Sequence, residues 1–222
     1  RNMEEKLAFE NTKKDLEMQV LTNQINPHFL YNTLETIVWK AGEAGRPDIG
    51  KIASSLGKMY RLSISGGEVW VPLKQELEHV KSYMDIQLSR YAGQFDFACT
   101  VEPAAEPWML PKLVLQPVVE NIFLHAMPET ERVVSIRLEA RLHPSCLAIR
   151  IADNGMGMDV QKLEQVRAQI RTGKTAEDAA SQNGMKRRSS GIGLHNISAR
   201  LTLYMGLPEP LRIHSRKGRG TT

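Results

Sequence analysis

One histidine near the start of the chain has the surroundings expected of a nucleophile. His28 lies in "QINPHFLYN", within a stretch that has helical apolar spacing. At about 100° per residue, the large apolar side chains after it fall on one broad arc, and His28 projects from the opposite, polar side. Histidine changes charge near physiological pH, so its neutral ring offers a nitrogen lone pair without a strong base. Most surface histidines have no such role, so this assignment needs support from elsewhere in the chain.

A second polar group lies in the otherwise apolar stretch "LPKLVLQPVVENIFLHAM". Asn121 and His125 are four residues apart, so they share one face of the predicted helix. An apolar helix with a polar patch holds either a hydrogen-bonded core network or a site. An amide oxygen is a suitable hard ligand for Mg²⁺, which binds few protein groups beside the phosphates of its substrate.

Two glycine pairs follow this stretch. In "IADNGMGMD", Asp153 ends a predicted strand, and Gly155 and Gly157 allow the main chain to turn and approach a ligand closely. In "SSGIGLHN", Gly191 and Gly193 open a predicted helix, whose free N–H groups favour phosphate binding. Either pair alone could equally be a turn with helix-capping glycines.

The order of these segments is more specific than any one of them. "ENIFLH", "DNGMGM" and "GIGL" together resemble the GHKL ATP-binding fold, with a match over roughly residues 73–222. The resemblance implies that Asp153 accepts the adenine amino group and Asn121 coordinates Mg²⁺, with Glu120 as an outer-sphere ligand. It further implies that the remaining contacts to ATP come from His125, Gly155, Gly157, Gly191, Gly193 and Leu194.

Residues 171–190, "RTGKTAEDAASQNGMKRRSS", contain almost no large apolar side chain. Twenty such residues inside a compact domain are uncommon unless they form a functional lid or a linker. On composition alone, a disordered insertion is an equal alternative. The resemblance favours a lid that closes over ATP.

Two positions depart from the patterns of that superfamily. Its hydrolases have a water-activating Glu four residues before the Asn, where this chain has Pro117, so we expect transfer to a protein acceptor. Its kinases usually have a Lys three residues after the Asn, where this chain has Leu124. We predict that Lys186, Arg187 and Arg188 supply the missing positive charge. The alternatives are a solvated charge run and a kinase with weakened nucleotide binding.

The N-terminal stretch "LTNQINPHFLYNTLETI" resembles the phosphoacceptor segment of sensor histidine kinases of the LytS/YesM type, and "PLKQELEHVKSYMDIQLSRY" and "GLHNISARLTLYMG" resemble later parts of that family. The resemblance implies autophosphorylation of His28 and transfer of the phosphoryl group to an aspartate of a response regulator, of the AraC or LytTR type. It also implies the cytoplasmic part of a bacterial inner-membrane protein, with a membrane sensor before Arg1. Phe29 stands where more common histidine kinases have an acidic base, so no general base is assigned.

The elements that carry His28 are predicted to be two helices, residues 3–42 and 49–64, joined by the turn "EAGRPD". Such a hairpin buries little core by itself, so we expect two copies to pair as a four-helix homodimer. The turn-forming residues Gly66, Gly67 and Pro72 in "SGGEVWVP" predict a domain boundary. It separates a dimerisation and phosphotransfer domain, 1–67, from an ATP-binding domain, 70–222.

The second domain alternates helical and strand patterns without strict βαβ spacing. This predicts an α+β chain whose second part is an α/β sandwich, with helices on one face of a mixed sheet. The chain stops at "GRGTT", where the family continues, so either the sheet lacks an edge strand or the end has been trimmed. The predicted helices are 73–92, 112–127, 159–171 and 191–205, and the predicted strands are 95–101, 133–141, 146–152 and 211–215.

Composition narrows the classes of function. With 41% hydrophobic and 24% charged residues, the chain is core-forming. The net charge of +4 comes without a clustered basic stripe, so we expect no direct binding to nucleic acid. Cys99 and Cys146 have no zinc-like spacing and are predicted to be reduced core thiols. Two functions compete with a kinase: a hydrolase of the same superfamily, and a non-catalytic scaffold that dimerises and docks a regulator.

Overall fold

A computed structural model of the chain describes residues 27–64, 68–126, 133–172 and 190–222. The chain divides into two compact units, Arg1–Gly67 and Glu68–Thr222. None of the helices in the described ranges combines the length and the hydropathy needed to cross a bilayer.

The first unit contains two helices, α1 (Pro27–Glu43) and α2 (Pro47–Ile64). The turn between them uses Gly45 at φ 64° and a hydrogen bond from the Arg46 N–H to the Ala41 carbonyl oxygen at 2.8 Å. The predicted second helix is confirmed. It begins at Pro47, two residues before the predicted start, because proline fits the first turn of a helix. The predicted first helix is confirmed from residue 27 onward, and its residues 3–26 lie outside the described residues.

Small residues allow the two helices of the hairpin to approach closely. A Cβ added at Gly50 would lie 3.6 Å from the Ala41 Cβ, and one at Gly57 would lie 3.7 Å from Leu34 Cδ1. Leu34 and Ala41 are buried in this contact. Several large apolar side chains of the hairpin nevertheless remain exposed: Phe29, Ile37, Val38, Trp39, Ile49 and Leu56.

The second unit mixes helices and strands. In chain order its elements are β1 (Trp70–Pro72), α3 (Leu73–Arg90), β2 (Phe95–Val101), a 3₁₀ turn (Pro103–Ala105), β3 (Met109–Pro111), α4 (Gln116–His125), β4 (Val134–His143), β5 (Cys146–Asp153), α5 (Val160–Thr172), α6 (Ser190–Met205), β6 (Ser215–Arg216) and β7 (Gly220–Thr221).

The main sheet has the strand order β2–β4–β5. β2 pairs with β4 in parallel and β4 pairs with β5 antiparallel, so the predicted mixed sheet is confirmed. Along β4, buried side chains such as Ile136 and Leu138 alternate with more exposed ones, so one face packs on the core. Phe123 of α4 lies in that core, with ring contacts to Tyr83, Tyr91 and Phe95.

The predicted strand 211–215 is wrong over most of its length. Only Ser215 and Arg216 form β6, which pairs with β7 in a short hairpin. The carbonyl oxygen of Ile213 instead accepts a hydrogen bond from Arg167 Nη2 at 2.7 Å. The chain end thus forms a two-stranded hairpin of its own.

Other differences are smaller. β1 and β3 were not predicted, because three residues each are too few to show a period. α4 begins at residue 116 instead of 112, because the residues before it form a turn. Cys99 is half-buried as a strand residue, but Cys146 is exposed at the start of β5, so its prediction as a core thiol is wrong.

Candidate functional site

The carboxylate of Asp153, at the end of β5, is held by main-chain donors. Its Oδ1 accepts the Gly155 N–H at 2.8 Å, and the carboxylate also accepts the N–H of Thr221 in β7. Partial burial raises the pKa of Asp153, and these two hydrogen bonds oppose that rise. The side chain is therefore fixed in direction as a hydrogen-bond acceptor.

The glycine at 155 is required by the close approach of α4. A Cβ there would lie 2.5 Å from the Cβ of Ala126, the residue that follows α4. α4 also packs against β5 and α6. The helix that carries Asn121 therefore contacts the loop that carries Asp153.

The C-terminal hairpin closes the other side of the same loop. Gly157 has φ 61°, and a Cβ there would overlap the carbonyl oxygen of Arg216. Gly220 has φ 95°, and a Cβ there would overlap the carbonyl oxygen of Asp153. Ser215 Oγ accepts the Met158 N–H at 2.8 Å, which fastens the hairpin to the loop.

The contribution of this hairpin was not predicted from the sequence. Thr221 and Ser215 both position the Asp153 loop, and neither is among the residues predicted to form the site. The signal that could have found them is the glycine spacing of that segment, which is the same as in the two recognised glycine pairs.

Asn121 lies half-buried in the middle of α4. Its Nδ2 donates to the Pro117 carbonyl oxygen at 2.8 Å, which leaves the amide oxygen as the atom able to bind a cation. Glu120 Oε1 accepts Gln116 Nε2 at 2.6 Å. Among the described residues there is no cluster of three or more His, Cys, Asp or Glu that could hold a metal. Asn121 with nucleotide phosphates nonetheless fits Mg²⁺, which commonly takes only one or two protein ligands.

The end of α4 carries His125 and Leu124. Partial burial lowers the pKa of His125, and the nearby Lys162 lowers it further, so the ring is biased toward its neutral form. Leu124, at the position where the resembled kinases have a lysine, is 59% exposed. An apolar side chain therefore faces solvent where a cation would be expected.

The second glycine pair lies in the first turn of α6. Among the described residues, no atom outside the backbone of its own helix lies within 4 Å of a Cβ added at Gly193. Leu194, predicted to contact the nucleotide, is partly buried and packs against the core of the unit. Lys186, Arg187 and Arg188, with most of the predicted lid, lie outside the described residues.

The predicted acceptor His28 is exposed, in the first turn of α1, within the other compact unit. Asn32 and Glu35, one and two turns further along α1, are exposed as well. The predicted apolar arc is less buried than expected, since Leu34 is buried but Phe29 is 69% exposed.

Comparison with protein families accounts for both units. The histidine kinase family model matches residues 16–95. The model described as "Histidine kinase-, DNA gyrase B-, and HSP90-like ATPase" matches residues 109–222, slightly more than half of the chain. The chain belongs to the histidine kinase-, DNA gyrase B- and HSP90-like ATPases. The resemblance to sensor histidine kinases and the predicted fold class are thereby confirmed.

Individual relatives agree with this assignment. The sensor histidine kinase YesM of Bacillus subtilis is 36% identical over 219 residues, which are 99% of this chain and 34% of YesM. The sensor protein LytS of Bacillus cereus is 28% identical over 212 residues, 94% of this chain and 33% of LytS. The chain thus spans about a third of the length of these relatives.

Among solved structures, the histidine kinase domain from the blue-light activated histidine kinase of Erythrobacter litoralis EL346 has a TM-score of 0.45 at 16% identity, covering 95% of this chain and 91% of that one. A bacterial phosphotransferase has a TM-score of 0.44 at 11% identity, covering 92% of this chain and 90% of that one.

Proposed function

We propose that this chain is the phosphotransfer and catalytic part of a sensor histidine kinase. Its reaction is the transfer of the γ-phosphoryl group of Mg-ATP to His28, followed by transfer to an aspartate of a response regulator. The observation that carries the proposal is the presence, in one chain, of both family matches, one spanning His28 and the other spanning Asn121 and Asp153.

The second unit supplies the groups that would bind Mg-ATP. The Asp153 carboxylate, directed by two main-chain donors, suits the amino group of adenine. The Asn121 amide oxygen suits Mg²⁺, with Glu120 as an outer-sphere ligand. Gly191 and Gly193, in the first turn of α6, suit the phosphates because helix N-termini bind anions. Mg²⁺ would neutralise charge on the phosphates during transfer.

His28 would receive the phosphoryl group. Its exposure on α1 gives a ring nitrogen access to a nucleotide brought by the other unit. Since Phe29 follows it where an acidic base would stand, the rate acceleration must come mainly from positioning and electrostatic stabilisation. Pro117, in place of the water-activating glutamate of the hydrolases, disfavours hydrolysis as the main reaction.

The test is incubation of the chain with γ-labelled ATP and Mg²⁺. We expect label on the protein that is lost in acid, retained in alkali and absent in His28→Gln. His143→Gln, which changes an exposed histidine at the end of β4, is the matched control and should keep the label. Release of labelled phosphate without protein label would indicate a hydrolase. If the protein carries no label and no labelled phosphate is released, the chain is a non-catalytic scaffold.

We also propose that Lys186, Arg187 and Arg188 replace the charge missing at Leu124. Replacing all three with alanine should weaken ATP binding about 10-fold or more, given the strength of cation–phosphate hydrogen bonds. Lys174→Ala, in the same polar segment, controls for a general change in charge. Unchanged ATP affinity in the triple variant would mean that these residues are only solvated charges.

The partners follow from the same proposal. The exposed apolar side chains of the hairpin support a homodimer through α1 and α2, which sedimentation would detect as twice the mass of one chain. The response regulator is expected to be of the AraC or LytTR type. We place the chain in the bacterial cytoplasm as part of an inner-membrane protein with a sensor region upstream.

A further inference from the structure

A buried carboxylate outside the proposed nucleotide contacts caps the helix that carries Asn121. Glu76 of α3 is 3% exposed. Its Oε1 accepts the Leu113 N–H at 2.6 Å, and its Oε2 accepts the N–H groups of Val114 at 2.9 Å and Leu115 at 3.0 Å. All three donors belong to the turn that immediately precedes α4.

The turn before α4 contains a strained residue, and the N-cap of the helix has no polar side chain. Leu115, the N-cap of α4, makes no side-chain capping hydrogen bond. Leu113 has φ 61°, a strained value for a residue with a side chain, and among the described residues it alone combines a positive φ with a side chain. Glu76 thus offsets the strain and places a negative charge at the helix N-terminus, where the helix dipole favours it.

The contacts continue from this cap to Asn121. The capped turn leads into the first turn of α4, whose Pro117 carbonyl oxygen accepts Asn121 Nδ2 at 2.8 Å. That hydrogen bond sets the direction of the Asn121 amide oxygen. A displacement of the first turn of α4 would therefore rotate or shift the oxygen proposed to bind Mg²⁺.

We propose that Glu76 is a positioning residue for the metal: its carboxylate fixes the start of α4 and thereby the Asn121 amide oxygen. The inference rests on the proposed function, because it assumes that Mg-ATP binds through Asn121. It predicts a selective defect. Loss of Glu76 should weaken the part of ATP affinity that depends on Mg²⁺, and should spare the part that depends on Asp153.

The experiment measures the dissociation constant of ATP, with Mg²⁺ and with EDTA, for the full 222-residue chain and its variants. In Glu76→Gln the amide keeps the shape but presents an NH₂ group to main-chain donors. The quantity compared is the dissociation constant in EDTA divided by the dissociation constant with Mg²⁺. We expect this ratio to fall about 10-fold, the lower end of the cost of losing support for a metal ligand. The Mg²⁺-free constant should change less than about threefold. In Asn121→Ala, Mg²⁺ should no longer strengthen ATP binding, so the ratio should fall to about 1. The double variant Asn121→Ala with Glu76→Gln should have the same ratio as Asn121→Ala alone.

Glu78→Gln, an exposed carboxylate two residues along α3, is the matched control and should behave like the parent. If Glu76→Gln does not fold, as judged by its unfolding transition, Glu76→Asp decides by the same ratio, because it keeps the charge but shortens the reach. An unchanged ratio, or a parallel rise in both constants, would overturn the positioning role and leave the proposed function intact. A parent chain that binds no ATP would overturn both.

Discussion

Two glycine-rich segments of the second unit, the loop after β5 and the first turn of α6, have similar sequences but different surroundings. In the loop, a side chain at Gly155 would meet Ala126, and one at Gly157 would overlap the Arg216 carbonyl oxygen. In α6, a Cβ at Gly193 would meet no atom of the described residues within 4 Å outside the backbone of its own helix. Neighbouring atoms leave no room for a side chain at Gly155 or Gly157, whereas the described residues leave room for one at Gly193.

The difference separates two reasons for a glycine. In the loop, close main-chain contacts with the C-terminal hairpin and with the end of α4 explain the residue without any ligand. At Gly193, a glycine inside a helix costs up to about 1 kcal/mol relative to alanine, and packing does not compensate. The proposed phosphate contact would give Gly193 a physical reason that the packing of the described residues does not supply.

The largest effect expected from this comparison is the loss of stability in Gly157→Ala. The new Cβ would overlap a main-chain oxygen at a positive φ, so either the loop or the C-terminal hairpin must move. We expect the free energy of unfolding to fall by about 3 kcal/mol, measured by urea denaturation of the chain.

Gly93→Ala is the matched control for this variant. Gly93 has φ 73°, but a Cβ there has no atom within 4 Å. The free energy of unfolding of Gly93→Ala should therefore fall only by the cost of a positive φ for a residue with a side chain, about 1 kcal/mol. Equal losses in the two variants would show that the hairpin does not pack on the loop as described.

Gly193→Ala should have the opposite effect on stability. Without ATP, the variant should be more stable by up to about 1 kcal/mol, because alanine favours the helix and nothing clashes. Its dissociation constant for Mg-ATP should rise about 10-fold, or about 1.4 kcal/mol, if phosphates approach the main chain there.

Gly42→Ala serves as the control for the helix effect. Gly42 lies in α1, and no atom of the described residues lies within 4 Å of an added Cβ, so stability should rise similarly while ATP affinity stays the same. If Gly193→Ala bound Mg-ATP as tightly as the parent, the segment would be only a helix start.

The order of helices and the mixed sheet were predictable because their signals are local. The alternation in β2 and the apolar spacing in α3 each repeat over several residues, long enough to reveal a period. The order of the Asn-bearing helix and the two glycine pairs was equally visible, and it led to the family that the comparisons confirm.

The contacts that build the site were not predictable in the same way. Glu76 reaches the turn before α4 across 37 to 39 residues, and Ser215 reaches Met158 across 57. Such pairs are fixed by tertiary packing. The glycine spacing near the chain end marks the segment that carries Ser215, but no local pattern shows that its partner is Met158, and none marks Glu76. The mistaken strand at 211–215 has the same origin, since a carbonyl expected in a ladder instead accepts a hydrogen bond from Arg167 of a distant helix.

The smallest effect expected is a pH dependence that distinguishes the Asp153 loop from the α6 segment, which has no ionisable group at its glycines. Burial raises the pKa of Asp153 above the ordinary aspartate value, so the folded chain holds this proton at a pH where the unfolded chain has lost it. This group therefore stabilises the fold least above the raised pKa and more as the pH falls through it.

ATP binding should show the reverse trend, because the protonated carboxyl is a weaker acceptor for the adenine amino group. The dissociation constant of ATP should thus rise as the pH falls through the raised pKa, and Asp153→Asn should remove that rise. Asp96→Asn, at an exposed position of β2, should keep it, since its carboxylate lies on the sheet surface. A rise of equal size in Asp153→Asn would assign the pH dependence to the phosphates of ATP instead of to the protein.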